Sequence, residues 1–131
     1  MITEDYVSFE TAKLLKEKGF DEKCRQYYYR DNLILSRSEV CNEELDNFQE
    51  VGEGWSAPTL QMTMKWLREV HNIAVSVYVF NRDLPIKENE IRYTCDIATT
   101  NISSKEGHLR LTGTYEEACE AAIKYCLENL I

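Results

Sequence analysis

The chain has 131 residues, of which 44% are hydrophobic and 29% charged, and its 23 acidic and 15 basic residues give a formal net charge of −8. This composition excludes a wholly disordered chain, and the length fits a single α+β domain, residues 1–131, with one hydrophobic core. The negative charge argues against direct, nonspecific binding to nucleic acid or to an anionic membrane.

The cellular compartment is predicted from the apolar segments and the cysteines. No apolar run approaches the roughly 18 residues of a membrane span, and the N-terminus lacks the basic and apolar regions of a signal peptide. The five cysteines are an odd number without a CxxC pair, and most fall inside apolar patterns. We therefore expect a cytoplasmic protein whose cysteines are free thiols.

The N-terminal part of the chain predicts a helix followed by a hairpin. Ser8 is a favourable N-cap for a helix over residues 9–18, and Gly19 suits the left-handed residue that ends it. Residues 24–29 and 33–36 read as two strands, and the Asp and Asn at residues 31–32 tolerate the backbone conformations of a tight turn. These signals predict a first antiparallel hairpin.

The middle of the chain predicts an amphipathic helix and then an apolar strand. Ser56 and Pro58 are expected to begin the helix. Its apolar face is predicted to contain Leu60, Met62, Met64, Trp66, Leu67, Val70 and Ile73. The strand that follows, residues 74–80, has apolar side chains at both alternating sets of positions, so we expect a central strand that is covered on both faces.

The C-terminal part predicts a second hairpin and a last helix. Residues 91–98 alternate as a strand with one wet side, and residues 108–112 are a candidate short edge strand. Thr114 and Glu117 match a capping box at the start of the helix. The inward face of that helix is predicted to hold Tyr115, Ala118, Cys119, Ala122, Ile123, Cys126 and Leu130.

These elements together predict an α+β fold. We expect an antiparallel sheet of about four strands, formed by two hairpins and packed with three helices in the order α-β-β-α-β-β-α.

An acidic segment between the first hairpin and the middle helix is the first candidate site. Its carboxylates are Glu39, Glu43, Glu44, Asp46, Glu50 and Glu53, and Gly52 and Gly54 indicate a loop with one helical turn near residues 42–48. Phe48 and Trp55 would anchor this loop to the core or to a partner. The candidate partner-contact residues are Phe48, Trp55, Glu43, Glu44 and Asp46. A solvated surface is the commonest explanation of such acids, and the alternatives are cation binding, an acid/base pair or mimicry of a phosphate backbone.

Other candidate constellations are weaker. His71, His108 and the cysteines lack the spacing of zinc ligands, and Cys119 and Cys126 are seven residues apart, as a buried helix stripe requires. The three tyrosines at residues 27–29 lie between two arginines and could stack nucleobases, but the acidity of the chain favours a structural role. No common nucleotide-binding or hydrolase motif is present. No catalytic, cofactor-binding or metal-binding residue is therefore assigned, and no cofactor is expected.

The sequences SFETAKLLKEKGF (residues 8–20), APTLQMTMKWLREVHNI (57–73) and YEEACEAAIKYCLENLI (115–131) carry a family resemblance. They resemble a group of short uncharacterised proteins of Bacteroides-type genomes and their phages and prophages. The resemblance covers the three helices, and it implies no assigned reaction. In element order alone, the chain is also similar to the phage ABA sandwich domain, which implies a sheet between helical layers and nothing about activity.

Three functional hypotheses follow. The first is a non-enzymatic accessory protein of phage or mobile-element origin that acts through protein contacts, with a homodimer as one form of partner. The second is an acidic mimic of nucleic acid that inhibits a DNA-handling enzyme. The third is a small enzyme whose catalytic groups are distant in sequence and therefore not recognisable from local motifs.

Overall fold

The structure is a computed structural model that describes residues 2–46, 53–79, 92–99, 109–110 and 114–131, and it confirms an α+β protein with antiparallel strands. The first elements are α1 (Phe9–Glu17), β1 (Cys24–Tyr29), β2 (Asn32–Val40), α2 (Asn42–Asp46) and β3 (Gly54–Ser56). The later ones are α3 (Leu60–His71), β4 (Ile73–Val79), β5 (Tyr93–Thr99), β6 (Leu109–Arg110) and α4 (Tyr115–Asn129).

The strands within the described residues form two sheets, whereas the sequence predicts one. Their orders are β2-β1-β3 and β4-β5-β6, with β6 only two residues long. The chain groups into two compact units, Met1–Met62 with Ile131, and Thr63–Leu130. The described residues contain four helices, because the single turn predicted in the acidic segment is the short helix α2.

Helix α1 begins and ends where the sequence predicts. The Ser8 hydroxyl accepts a hydrogen bond from the Thr11 N–H at 3.2 Å, and Gly19 has a φ of 85°. The Phe20 N–H then donates to the Leu15 carbonyl at 2.9 Å, and both side chains are buried. This contact after a left-handed glycine is a Schellman-type helix end, and both caps are confirmed.

The first hairpin is confirmed and its turn is tight. Arg30 and Asp31 have φ values of 49° and 65°, and Tyr29 pairs with Asn32 on either side of them. Two consecutive positive φ values are typical of the two-residue turns that match the twist of hairpin strands. Strand β2 continues to Val40, beyond the predicted end, but its register with β1 shifts after Leu35.

Strand β3 lies in a segment for which the sequence predicts a loop. It pairs with β1 in antiparallel register, with Trp55 opposite Tyr28. A Cβ atom at Gly54 would lie 3.2 Å from the Cβ of Leu45, so a larger residue here would require α2 to move by a few tenths of an ångström. The sequence pattern predicts that this glycine breaks regular structure, whereas it lies in a strand on which a helix packs closely.

Helix α3 begins later than predicted. Ser56 belongs to β3, and the Thr59 hydroxyl accepts the Met62 N–H at 3.1 Å in the manner of an N-cap, so the helix starts at Leu60. The buried side chains of this helix are Leu60, Thr63, Met64, Trp66 and Leu67. Val70, which was placed on the apolar face, is 54% exposed in the last turn.

Strand β4 is not the central strand that the sequence predicts. In the described residues it pairs with β5 alone, and β5 holds the middle position with Cys95 and Ile97 buried. Helix α4 packs across β4 and β5. The opposite face of β4 contains Ala74, Ser76 and Tyr78, all of which are exposed. The valine-rich strand is therefore covered on one face only, since its second face carries small and amphipathic side chains.

Helix α4 confirms the Thr114 half of the predicted capping box. The Thr114 hydroxyl accepts the Glu117 N–H at 3.1 Å. The buried side chains are Ala118, Cys119, Ala122, Ile123, Cys126 and Leu127, while Tyr115 and Leu130 are half-buried. Strand β6 lies within the edge strand predicted at residues 108–112, and the connections at residues 80–91 and 100–108 fall outside the described residues.

Removal of the Trp66 ring tests the buried face of α3. The residue is 6% exposed, and its ring lies 4.6 Å from the His71 ring, edge to face. We expect Trp66→Ala to lower the free energy of unfolding by about 3–5 kcal/mol, because the void would not close completely. The measurement is urea denaturation followed by circular dichroism. The neighbouring exposed residue provides the control, since Lys65→Ala should change stability by less than about 0.5 kcal/mol.

Candidate protein-interaction site

The outer edge of the first sheet exposes two leucines. Strand β2 pairs with β1 alone in the part of the chain that the structure describes. Leu33 is 46% exposed and Leu35 is 71% exposed. Ile34, between them, points to the opposite face of the sheet and is half-buried. An edge strand with apolar side chains in water is a surface to which another strand can add.

The backbone of the same residues is directed outward. A pair that closes a two-residue turn exchanges both of its backbone hydrogen bonds, so Tyr29–Asn32 is such a pair. Hydrogen-bonded and non-hydrogen-bonded pairs alternate in an antiparallel ladder, which makes Tyr27–Ile34 the next bonded pair. The N–H and C=O groups of Leu33 and Leu35 consequently point away from β1, toward the free edge.

Charged residues flank the two leucines at alternating positions. Asp31 precedes them in the turn and Arg37 follows them in β2, and both are exposed. The sequence at alternate positions is therefore acid, leucine, leucine, base. This pattern combines an apolar centre with charged ends of opposite sign, which is the usual composition of an interface core and its rim.

Trp55, a predicted partner-contact residue, has a structural role in the first unit. Its ring lies 5.1 Å from the Phe9 ring at an interplanar angle of 86°, and the Lys16 ammonium is 5.7 Å from its centroid. Phe9 in turn lies 5.5 Å from the Tyr28 ring. These edge-to-face contacts attach β3 to α1, so the ring anchors the acidic segment to the core.

Two carboxylates of the acidic segment are used locally. The Glu44 carboxylate accepts the backbone N–H of Cys41 at 2.9 Å, which caps the start of α2. Glu53 lies 3.7 Å from the Lys16 ammonium, which also donates to the Gly54 carbonyl at 2.7 Å. Glu43 is exposed. The Asp46 side chain and Phe48 lie outside the described residues, so their proposed contacts stay predictions.

A buried amide holds α2 against the rest of the first unit. The Asn42 side chain donates to the Phe20 carbonyl at 2.5 Å and accepts the Ser56 N–H at 2.6 Å, and the residue is 5% exposed. The Ser56 hydroxyl is also buried, and it has no hydrogen-bond partner among the described residues. Sequence reasoning did not single out Asn42, because its partners are 22 and 14 residues away along the chain.

Three buried cysteines are poor nucleophiles. Burial raises the pKa of Cys24 to about 12, and the neighbouring carboxylates of Glu22 and Glu39 add to the shift. Burial also raises the pKa of Cys126 to about 12 and that of Cys119 above its ordinary value. Since the thiolate is the reactive form, these residues pack as small hydrophobic side chains at neutral pH. Among the described residues, no group of three or more ligand side chains converges in a manner suited to a metal ion.

The tyrosine cluster is also engaged within the protein. The Tyr28 hydroxyl donates to the Val7 carbonyl at 2.7 Å, and the Arg30 guanidinium lies 5.2 Å from the Tyr29 ring. These contacts argue against the alternative in which the tyrosines stack on nucleobases, because a ring that packs within the protein is not free to stack on a base. The helices in the described ranges all lack the length and hydropathy needed to cross a membrane.

Comparison of the chain with protein-family models, with curated proteins and with solved structures finds no match. The geometry of the site therefore carries the functional argument.

The leucine edge could have been recognised in part from the sequence. The sequence predicts a strand over residues 33–36, and the residues that follow it indicate how its side chains are exposed. Leu33 and Leu35 share their alternating positions with Arg37 and Glu39, both charged. Charged residues at these alternate positions indicate that this part of the strand reaches water. Leu33 lies opposite Tyr28, on the sheet face that Phe9 of α1 contacts, and it is exposed because β2 is the outer strand.

The Asn42 side chain is expected to stabilise the first unit strongly. We expect Asn42→Ala to lower the free energy of unfolding by about 2–4 kcal/mol, because a buried carbonyl and a buried N–H both lose their partner. Chemical denaturation provides the measurement. The matched control is Ser56→Ala, which removes a hydroxyl without a described partner and should leave stability unchanged or raised; a large loss there would contradict this assignment.

The buried thiols predict a loss of stability at high pH. Above about pH 9, Cys24 and Cys126 ionise in the unfolded chain but stay protonated in the folded protein until about pH 12. Stability is therefore intact below pH 9 and falls as pH rises between these values, by up to about 1.4 kcal/mol per pH unit for each thiol. Denaturation midpoints across this range measure the slope. Cys126→Ala should reduce the slope, and a slope unchanged by this substitution would contradict the assignment.

Proposed function

We propose that this chain is a non-enzymatic accessory protein of a phage or mobile element that acts in the cytoplasm through contacts with another protein. The observation that carries the proposal is the β2 edge, where Leu33 and Leu35 are exposed and their backbone groups point outward. The resemblance of the helical sequences to short phage and prophage proteins supports the origin.

The physical basis is strand addition. Backbone hydrogen bonds to an exposed sheet edge supply affinity, and the side chains at alternate positions supply specificity. Burial of an exposed leucine contributes about 1.5–3 kcal/mol when coverage is complete. The β2 edge therefore offers a partner strand outward-pointing backbone groups for hydrogen bonds and two exposed leucine side chains for burial.

The alternatives have less support. The raised pKa values of Cys24, Cys119 and Cys126 disfavour a thiol enzyme. A nucleic-acid mimic needs carboxylates that are spaced along an open surface, whereas Glu44 and Glu53 interact with groups of their own unit. Protein contact through the apolar edge requires neither of these features.

Capture of binding proteins by the immobilised chain tests the proposal. We expect proteins retained by the unmodified chain to be reduced at least about tenfold by Leu35→Lys, because the ammonium group prevents burial of this position. Quantitative mass spectrometry of the retained proteins is the measurement. Val70→Lys is the matched control, since it places the same charge at a similarly exposed apolar position on α3. Equal capture by both variants would contradict the assignment of the β2 edge.

A further inference from the structure

We propose that the partner at the β2 edge is a second copy of the same chain, with the two β2 strands paired antiparallel about a two-fold axis at Ile34. The inference rests on the proposed function, because it names the partner that the exposed edge would bind. The β2-β1-β3 sheets of the two copies would then join into one continuous sheet, with β2 of each copy at its centre. The edge is suited to a second copy because two identical segments that run in opposite directions set leucines against leucines and acid against base.

The backbone fits this register. The outward N–H and C=O groups belong to Leu33 and Leu35, and those of Ile34 point inward to β1. In an antiparallel pairing centred on Ile34, Leu33 of each copy lies opposite Leu35 of the other. Each such pair exchanges two backbone hydrogen bonds, so the two copies together form four.

The side chains select the same register. The turn residue Asp31 of one copy comes to the end of the segment where Arg37 of the other copy follows the regular strand, and the four leucines meet between these opposite charges. Moving the axis to Leu33 sets Asp31 against Leu35, and moving it to Leu35 sets Leu33 against Arg37. Only the axis at Ile34 gives opposite charges together with leucine pairs, and such cross-strand pairs stabilise antiparallel sheets.

The strength of the dimer is limited by the length of the regular edge. The register of β2 with β1 shifts after Leu35, so the paired segment is short. An interface of this size falls at the weak end of specific protein contacts, and we expect a dimer whose population changes between about 10 µM and about 1 mM chain.

Two charge reversals test the inference by sedimentation velocity over this concentration range. Arg37→Asp opposes two acids at each end of the paired segment, and Asp31→Arg opposes two bases. Each variant alone should dimerise on the order of tenfold more weakly than the unmodified chain, because two attractive rim pairs become repulsive. An equimolar mixture of the two variants should recover the dimer, since both mixed pairs are again of opposite charge.

Amide hydrogen exchange supplies a readout that a folding defect would not imitate. The Leu33 and Leu35 amides of the unmodified chain should gain protection as concentration rises, whereas the Ile34 amide, bonded to β1, should be protected throughout. Asp31 has a φ of 65°, which Asp adopts more readily than Arg, so circular dichroism of each variant checks that its fold is kept. Val70→Lys should leave dimerisation unchanged.

Three results would overturn the inference: a monomer at about 1 mM, a dimer that the charge reversals leave unchanged, or a mixture of variants that remains monomeric. These outcomes are distinguishable from failure of the proposed function. A monomeric chain that still captures another protein through Leu35 refutes the second copy as the partner and leaves the function standing. A monomeric chain whose capture is indifferent to Leu35→Lys refutes both.

Discussion

The pairing of β3 with β1 is the constraint on which the first unit depends. A glycine at position 54 suits this pairing, because α2 brings the Leu45 Cβ to 3.2 Å from where a Cβ of residue 54 would be, which is a tight contact. The Asn42 amide then bonds the backbone of β3 on one side and the carbonyl of Phe20 on the other. Since β3 occupies one edge of β1 and β2 the other, the outer edge of β2 is left as the long open side of the described sheet.

The features that the sequence predicts correctly are local ones. Ser8 and Thr114 cap helices through bonds to an N–H three residues later, and Gly19 ends α1 through its own backbone conformation. The turn at Arg30 and Asp31 likewise depends on adjacent residues. Each of these signals needs only a few neighbouring positions, so the pattern of the chain is sufficient.

The features that it does not predict depend on distant residues. Whether the valine-rich strand is central or at an edge depends on which strands pair with it, and its own alternation does not contain that information. The role of Gly54 depends on Leu45, nine positions earlier in the chain, and the partners of Asn42 belong to other elements. The candidate site likewise depends partly on neighbouring residues and partly on distant ones. Residues 33–36 were recognised as a strand, but the exposure of their leucines results from the position of β1 and β3.

The short length of β3 has a consequence for assembly. A sheet that grows by lateral addition of strands needs a long, flat outer edge at every step, and such edges are the starting points of fibres. At the side opposite β2, this sheet ends in a strand of three residues, with a tryptophan engaged by α1 at its middle position. So short a terminus offers few backbone groups for further addition. Association through the leucine edge would thus stop at a finite particle and would not propagate into a polymer.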